Sequence, residues 1–197
     1  KRDPHENSRG GSDPQARVGR NGKTFELGYK LHVAVDAKTE LPIAVIAASA
    51  NDNEKKHAPA LLEKALKATK GRVKLLVADS QYSSRNLRDQ ASSRGVRAVI
   101  PFPTNQQRDQ KGLLRVDKYF RTHGPIYEKR VYRLRSAVER VNSRLKEQLS
   151  LERHRVRGLG RITVHALLCM IAMLLNALAA LRLNRVDKAR SITLLAR

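Results

Sequence analysis

The sequence predicts an α/β domain in which helices pack on a mixed sheet. Three observations carry this reading. Short β-branched apolar runs alternate with stretches of helical spacing, Gly and Pro punctuate the joins, and a long apolar segment lies near the end. At 197 residues the chain is long enough for one domain with a sizeable core. No internal repeat argues for a second domain.

Taken in order, residues 1–22 are polar, rich in Gly, Ser, Asp, Pro and Arg, and read as an extended or disordered arm. Phe25 to Asp36 and Leu41 to Ser49 are β-branched, apolar runs separated by Ala37-Lys-Thr-Glu40, the pattern of a hairpin. His57 to Thr69 carries Leu61, Leu62, Ala65 and Leu66 on one side of a helix. Val73 to Ala78 is a short buried strand with Asp79 at its C-terminal tip. Ser83 or Ser84 caps a helix running through Arg94, and Gly95 stops it. Val96 to Ile100 is a further strand, halted by Pro101 and Pro103. Thr104 to Lys118 reads as an exposed loop, and the remainder as helix with a break at Arg157-Gly-Leu-Gly160. The domain is thus expected over 23–185, with a tail over 186–197.

Thr163 to Leu181 is apolar and close to the ~20 residues that a bilayer helix needs. His165 and Asn176 interrupt it, and basic residues flank both ends without bias. A packed core helix is therefore expected in place of a membrane span. Its expected packing stripe is Leu167, Met170, Ile171, Leu174, Leu178 and Leu181.

Charge narrows the partners. Forty Lys and Arg against 18 Asp and Glu leave a net charge of +22. Such a surplus concentrates polyanions around the chain, and nucleic acid is the natural one. The single cysteine, Cys169, cannot close an intrachain disulfide and sits in an apolar run, which suits a small buried hydrophobe in a reducing compartment. The six His show no paired zinc-ligand spacing, and His32, within a strand, reads as structural. The chain opens on Lys1 without a charged-then-apolar leader, and the sequence is expected to continue upstream.

The stretch Tyr132 to Lys146 carries the chemistry. On an unbroken helix with Tyr132 at 0°, Arg135, Glu139 and Lys146 fall at about 300°, 340° and 320°. Leu134, Val138, Val141 and Leu145 fall opposite, as a core-facing stripe. By geometry alone this is equally an ordinary solvated face with an i,i+4 Arg135–Glu139 pair, worth about 0.2–0.5 kcal/mol. Arg153-His-Arg-Val-Arg157 and Arg161 flank the glycine break, as backbone phosphate contacts or as a solvated charge run.

The spacing Tyr-x2-Arg-x3-Glu-x6-Lys resembles the signature helix of DDE transposases from bacterial insertion sequences. Gly28-Tyr-Lys-Leu-His32 with Val35-Asp36 and Leu41-Pro42 looks like that family's central hairpin. Ala78-Asp-Ser-Gln-Tyr82 looks like its second-aspartate motif, and Val99-Ile-Pro101 like the strand that follows. The resemblance covers about residues 13 to 182.

It implies an RNase H-like mixed sheet whose three carboxylates hold two Mg²⁺ ions, with Mn²⁺ as an alternative. Asp79 matches the second carboxylate and Glu139 the third. Tyr132, Arg135 and Lys146 match residues that contact DNA, and Arg153, Arg155 and Arg157 join them as candidate phosphate contacts. The partners implied are double-stranded DNA, as transposon ends and target, and a second copy on that DNA, in a bacterial or archaeal cytoplasm.

Two departures qualify the match. Gln81 stands where the family usually has Gly. No apolar strand is read before Phe25, and Asp3, Asp13 and Asp36 do not fit the first catalytic Asp, so that residue and its strand are expected to be missing from this chain. Two rival functions follow: another RNase H-like nuclease such as a resolvase, and a basic nucleic-acid-binding remnant without catalysis.

Overall fold

The computed structural model describes residues 9–10, 13–21, 24–103, 105, 129–152 and 156–192. It divides into two compact units, one of Lys1–Asn53 with Ala137–Arg197 and one of Glu54–Ser136, where the sequence suggested a single body. The expected loop Thr104 to Lys118 lies outside the described residues, apart from Asn105.

The first unit is built on a four-stranded antiparallel sheet in the order β1-β2-β3-β4. Its strands are β1 (Arg9–Gly10), β2 (Asp13–Asn21), β3 (Thr24–Val35) and β4 (Pro42–Ser49). The hairpin read from the sequence is β3–β4, in register from Tyr29 opposite Ser49 to Val33 opposite Val45. The disordered arm is a misreading: β2 pairs with β3 from Arg17 opposite Gly28 to Asn21 opposite Thr24. Its nine residues lack apolar alternation, yet the sequence after Asn21 is Gly22, and Asn-Gly is the strongest short hairpin signal. Gly19 faces the backbone of Ala50 so closely that a Cβ there would lie 2.2 Å from the Ala50 carbonyl oxygen.

Two helices cover this sheet, α4 (Ser136–Glu147) and α5 (Leu159–Arg182), numbered after three in the second unit. Val141 and Leu145 of α4 meet Cys169 and Met173 of α5, with Val35, Leu149 and Ile192 packed alongside. Val45 of β4 meets Ala166 and Met170, joined by Leu31 and Val33. Cys169 is buried as expected, and burial pushes its thiol pKa up. The segment 186–192 is no detached tail: Ile192 joins the core, and Asn176 Nδ2 donates to the Ser191 carbonyl at 2.8 Å.

The stripe expected to pack α5 is corrected. Of the six residues named for it, only Met170 is buried, whereas Leu167, Ile171, Leu174, Leu178 and Leu181 are exposed. The buried side is Ile162, Ala166, Cys169, Met170, Met173, Ala177 and Ala180. Small side chains let the helix axis approach sheet and neighbour closely, so the bulkier leucines turn outward.

A buried carboxylate ties the first unit together. Glu40 closes the β3–β4 turn at φ 56° and is 7% exposed. It pairs with Arg140 and Arg144 of α4, each at 2.8 Å, and with Arg190 at 3.3 Å. Asp36 shapes the same turn, accepting from the Thr39 N–H at 2.8 Å and its hydroxyl at 2.5 Å.

The second unit holds α1 (Glu54–Ala68), β5 (Leu75–Val77), α2 (Arg85–Ser93), β6 (Arg97–Val99) and α3 (Lys129–Tyr132). β5 and β6 form a parallel pair, Leu75 opposite Arg97 and Val77 opposite Val99, with α2 as the crossover. Its core is Ala58 and Leu62 of α1, Leu87 and Ala91 of α2, and Val96, Ala98 and Ile100. Ser84 caps α2 by accepting from the Leu87 N–H, and Gly95 ends it at φ 66°. Among the described residues the strands form two separate sheets, not the single mixed sheet expected. β5 and β6 have three residues each and pair only with one another there.

Glu40→Gln should lower stability at neutral pH by about 2–3 kcal/mol. That is the lower end for breaking a buried ion pair, because Arg140 and Arg190 are half exposed. Burial alone raises the Glu40 pKa, but the Arg140, Arg190 and Arg144 guanidiniums outweigh it and hold the carboxyl below its ordinary 4.5. The contribution is therefore present above 4.5 and lost as pH falls through the lowered value. Urea melts of both chains should differ at neutral pH and converge in acid. Equal stability at neutral pH would contradict this role.

Candidate active site

Asp79 stands where β5 ends, in extended backbone at φ −78° and ψ 171°. Its Oδ1 accepts the Gln81 N–H at 2.6 Å and so caps the short 3-10 turn Ser80–Tyr82. Gln81 therefore serves the turn through its backbone and needs no glycine conformation. The Tyr82 hydroxyl is pushed up to about 12, first by burial and then by the Glu54 and Asp79 carboxylates. In a parallel pair both strands present their carboxyl ends together, the usual position for a ligand crevice in α/β folds. Asp79 lies at that end of the pair.

Arg88 holds the same end and was not singled out in the sequence. It is 3% exposed, and its Nη2 donates to Ser83 Oγ and to the Ile100 carbonyl, each at 2.7 Å. Its guanidinium lies 4.6 Å from the centroid of the Phe102 ring. One side chain thus fastens the turn that follows Asp79 to the residues that follow β6. A signal existed: Arg88 sits beside Leu87 and one turn before Ala91, on the buried side of a nine-residue amphipathic helix.

Glu139 lies on α4 and is exposed. Ala137, Val141 and Leu145 are the buried residues of that helix, spaced four apart. Glu139 is two residues from the first and two from the second, which turns it about 160–200° away from them. The core stripe expected there is half right: Val141 and Leu145 are buried, Val138 is half-buried and Leu134 is exposed.

The unbroken helix expected from Tyr132 onward is interrupted. α3 ends at Tyr132, Arg133–Arg135 is a 3-10 turn, and α4 begins at Ser136. A 3-10 turn has three residues, so side chains three apart eclipse. Accordingly the Arg135 guanidinium stacks 5.6 Å over the Tyr132 ring. Tyr132, Arg135 and Asp79 belong to the second unit, and Glu139 and Lys146 to the first. Lys146 pairs with Glu152 at 2.5 Å, both partly exposed. Arg157 is exposed, while Arg153 and Arg155 lie outside the described residues.

Asp13 is spoken for structurally. It accepts from the Gly158 N–H at 2.8 Å, the Tyr29 hydroxyl at 2.8 Å and the Gln15 N–H at 3.3 Å. The Gly158 N–H is the chief cause that lowers its pKa, and Tyr29 is pushed up to about 12, first by burial and then by Asp13. Gln15 Oε1 accepts the Leu159 N–H at 2.9 Å. The first helical residues of α5, preceded by a glycine without a capping side chain, are thus satisfied from β2.

Asp79 and Glu139 offer hard oxygen donors of the kind that Mg²⁺ takes. Their chemistry fits a divalent ion, although no three of His, Cys, Asp and Glu gather as ligands among the described residues.

The family model described as Transposase DDE domain matches residues 4–175, a span that includes Asp79, Tyr132, Glu139 and Lys146. No curated protein and no solved structure matches the chain.

Arg88→Leu should cost about 1–3 kcal/mol, because it strips a donor from a buried carbonyl. Amide exchange over Ala78–Ser83 should quicken with it. Lys146→Ala, which breaks an exposed pair, should shift stability by less than about 1 kcal/mol. Urea melts with exchange mass spectrometry read both. An Arg88→Leu chain with unchanged stability and exchange would remove Arg88 as the brace of the Asp79 turn.

Proposed function

The chain belongs to the DDE transposase family, and on that premise we propose that it cleaves phosphodiesters at transposon ends and transfers the strand into target DNA, with Asp79 and Glu139 as two of its metal-holding carboxylates. The observation that carries this reading is a family match across 4–175 that takes in a strand-tip aspartate and an outward helix glutamate in the expected order.

Divalent ions, when bound, supply charge stabilisation for the attacking and leaving oxygens. The chain's own groups do the rest. Asp79 is held rigidly: Oδ1 is fixed by the Gln81 N–H, and Oδ2 makes no hydrogen bond among the described residues. Arg135, whose guanidinium lies over the Tyr132 ring, presents it to a phosphate at little further entropic cost. The exposed Lys146–Glu152 pair is weak enough for the ammonium to exchange Glu152 for a phosphate. Arg153, Arg155 and Arg157 are further candidate phosphate contacts, and the surplus of 22 positive charges suits duplex DNA. Two copies act together, because two transposon ends must be joined.

Only two of the three motif carboxylates are assigned to residues of this chain. Duplex DNA binding by the purified 197-residue chain is expected with or without Mg²⁺, whereas cutting requires the third carboxylate as well. Mg²⁺-dependent nicking abolished by Asp79→Ala would show a third ligand within the chain, with Asp13 and Asp36 the first to examine.

The reading is tested by transposition in cells from the natural gene. Asp79→Ala and Glu139→Gln should each reduce it to background while the protein accumulates normally. Lys146→Ala should weaken DNA binding and reduce the slope of log K against log salt by about 1, one phosphate contact. Undiminished transposition in both carboxylate variants would overturn the proposal.

A further inference from the structure

Helix α5 carries two apolar faces, and among the described residues only one is packed. The buried side packs on β4 and α4, while Val164, Leu168, Ile171, Leu175 and Leu178 are among the large side chains open to solvent on the other. At 100° per residue the centres of the two faces are about 150–180° apart. No charged residue interrupts the helix between Arg161 and Arg182.

We propose that the outward face of α5 is a homodimer interface, in which the helices of two copies pair antiparallel about a two-fold axis beside Ala172 and Met173. The observation behind it is self-complementarity. Reversed on itself about that point, the stripe sets Val164 against Leu181, Leu167 against Leu178 and Ile171 against Leu174. An isologous interface requires such a match of one patch with itself. The exposed positions Val164, Leu167, Ile171, Leu174, Leu178 and Leu181 step by three and four, the spacing that keeps a seam facing a partner helix.

Area supports the same occupant. Eight such side chains, each about half open, expose on the order of 700 Å², beyond the ~300–600 Å² of an ordinary largest patch and near the ~800 Å² that each partner buries in a standard interface. A bilayer is a poorer fit. The helix is long and apolar enough to cross a membrane, but its other side is docked on β4 and α4.

The pairing takes up the two-copy arrangement proposed above, yet it forms without DNA, which separates their tests. Each copy carries a surplus of 22 positive charges, so repulsion opposes association and salt screens it. Dimerisation through an apolar face therefore strengthens with salt, whereas DNA binding weakens.

Sedimentation velocity of the full 197-residue chain without DNA, at low and high salt, is the experiment. The expected result is a monomer–dimer equilibrium that shifts to dimer as salt rises. Leu167→Glu and Ile171→Glu should each give a monomer with unchanged circular dichroism and melting temperature. Both residues are already nearly half exposed, at 44% and 49%, so folding is spared. A chain monomeric at every concentration and salt, a dimer indifferent to both variants, or recovery only in detergent-extracted membranes would each overturn the interface. A DNA-free monomer that still pairs on transposon ends would do so while leaving the transposase reading intact.

Discussion

The first unit depends on one buried carboxylate. Glu40 sits at the mouth of the β3–β4 turn in a left-handed conformation that costs a non-glycine residue about 1–2 kcal/mol. A carboxylate removed from water adds a desolvation cost of several kcal/mol. Both are tolerated because Arg140 and Arg144 reach it from α4 and Arg190 from the closing segment. Arginines 100 to 150 residues along the chain from Glu40, on two separate stretches, meet on one anion. Arg140 follows Glu139 directly, so the contact that seats α4 on the hairpin also fixes which way the outward carboxylate faces.

A second clamp serves the other end of the sheet. Asp13 and Gln15 of β2 accept the N–H groups of Gly158 and Leu159, where no side chain of the turn can cap the helix. The Tyr29 hydroxyl, donated to Asp13 from β3, closes the arrangement. Polar residues in a stretch without apolar pattern therefore position α5 as firmly as its buried methionines do. In the second unit Arg88 plays the corresponding part, fastening the turn after Asp79 to the end of β6.

What the sequence revealed and what it hid follow one division. Elements defined by local period or punctuation were legible: the hairpin, α1, α2 with its Ser84 cap and Gly95 stop, and β5 with Asp79 at its tip. Elements defined by distant polar partners were not. β2 has no apolar alternation, and Glu40 looks like any turn residue until arginines 100 and 150 positions away close on it. Apolar spacing also failed on α5, because that helix is apolar on both sides. The choice between faces was made by size, with alanines toward the sheet and leucines outward. The site divides in the same way. The Tyr132-Arg135-Glu139-Lys146 spacing was readable, and it lies within the span that the family model matches. The 3-10 turn that stacks Arg135 on Tyr132 left no periodic trace.

We propose Asp79 and Glu139 as two of the carboxylates that hold the family's divalent ions. Mn²⁺ binding followed by electron paramagnetic resonance, with duplex DNA present, tests it most directly across the wild type, Asp79→Ala, Glu139→Gln and the double variant. Ligands of one site are not independent. The account predicts that each single change removes the bound-ion signal and that the double change removes no more. Partial losses that add, or a signal untouched by either change, would contradict it.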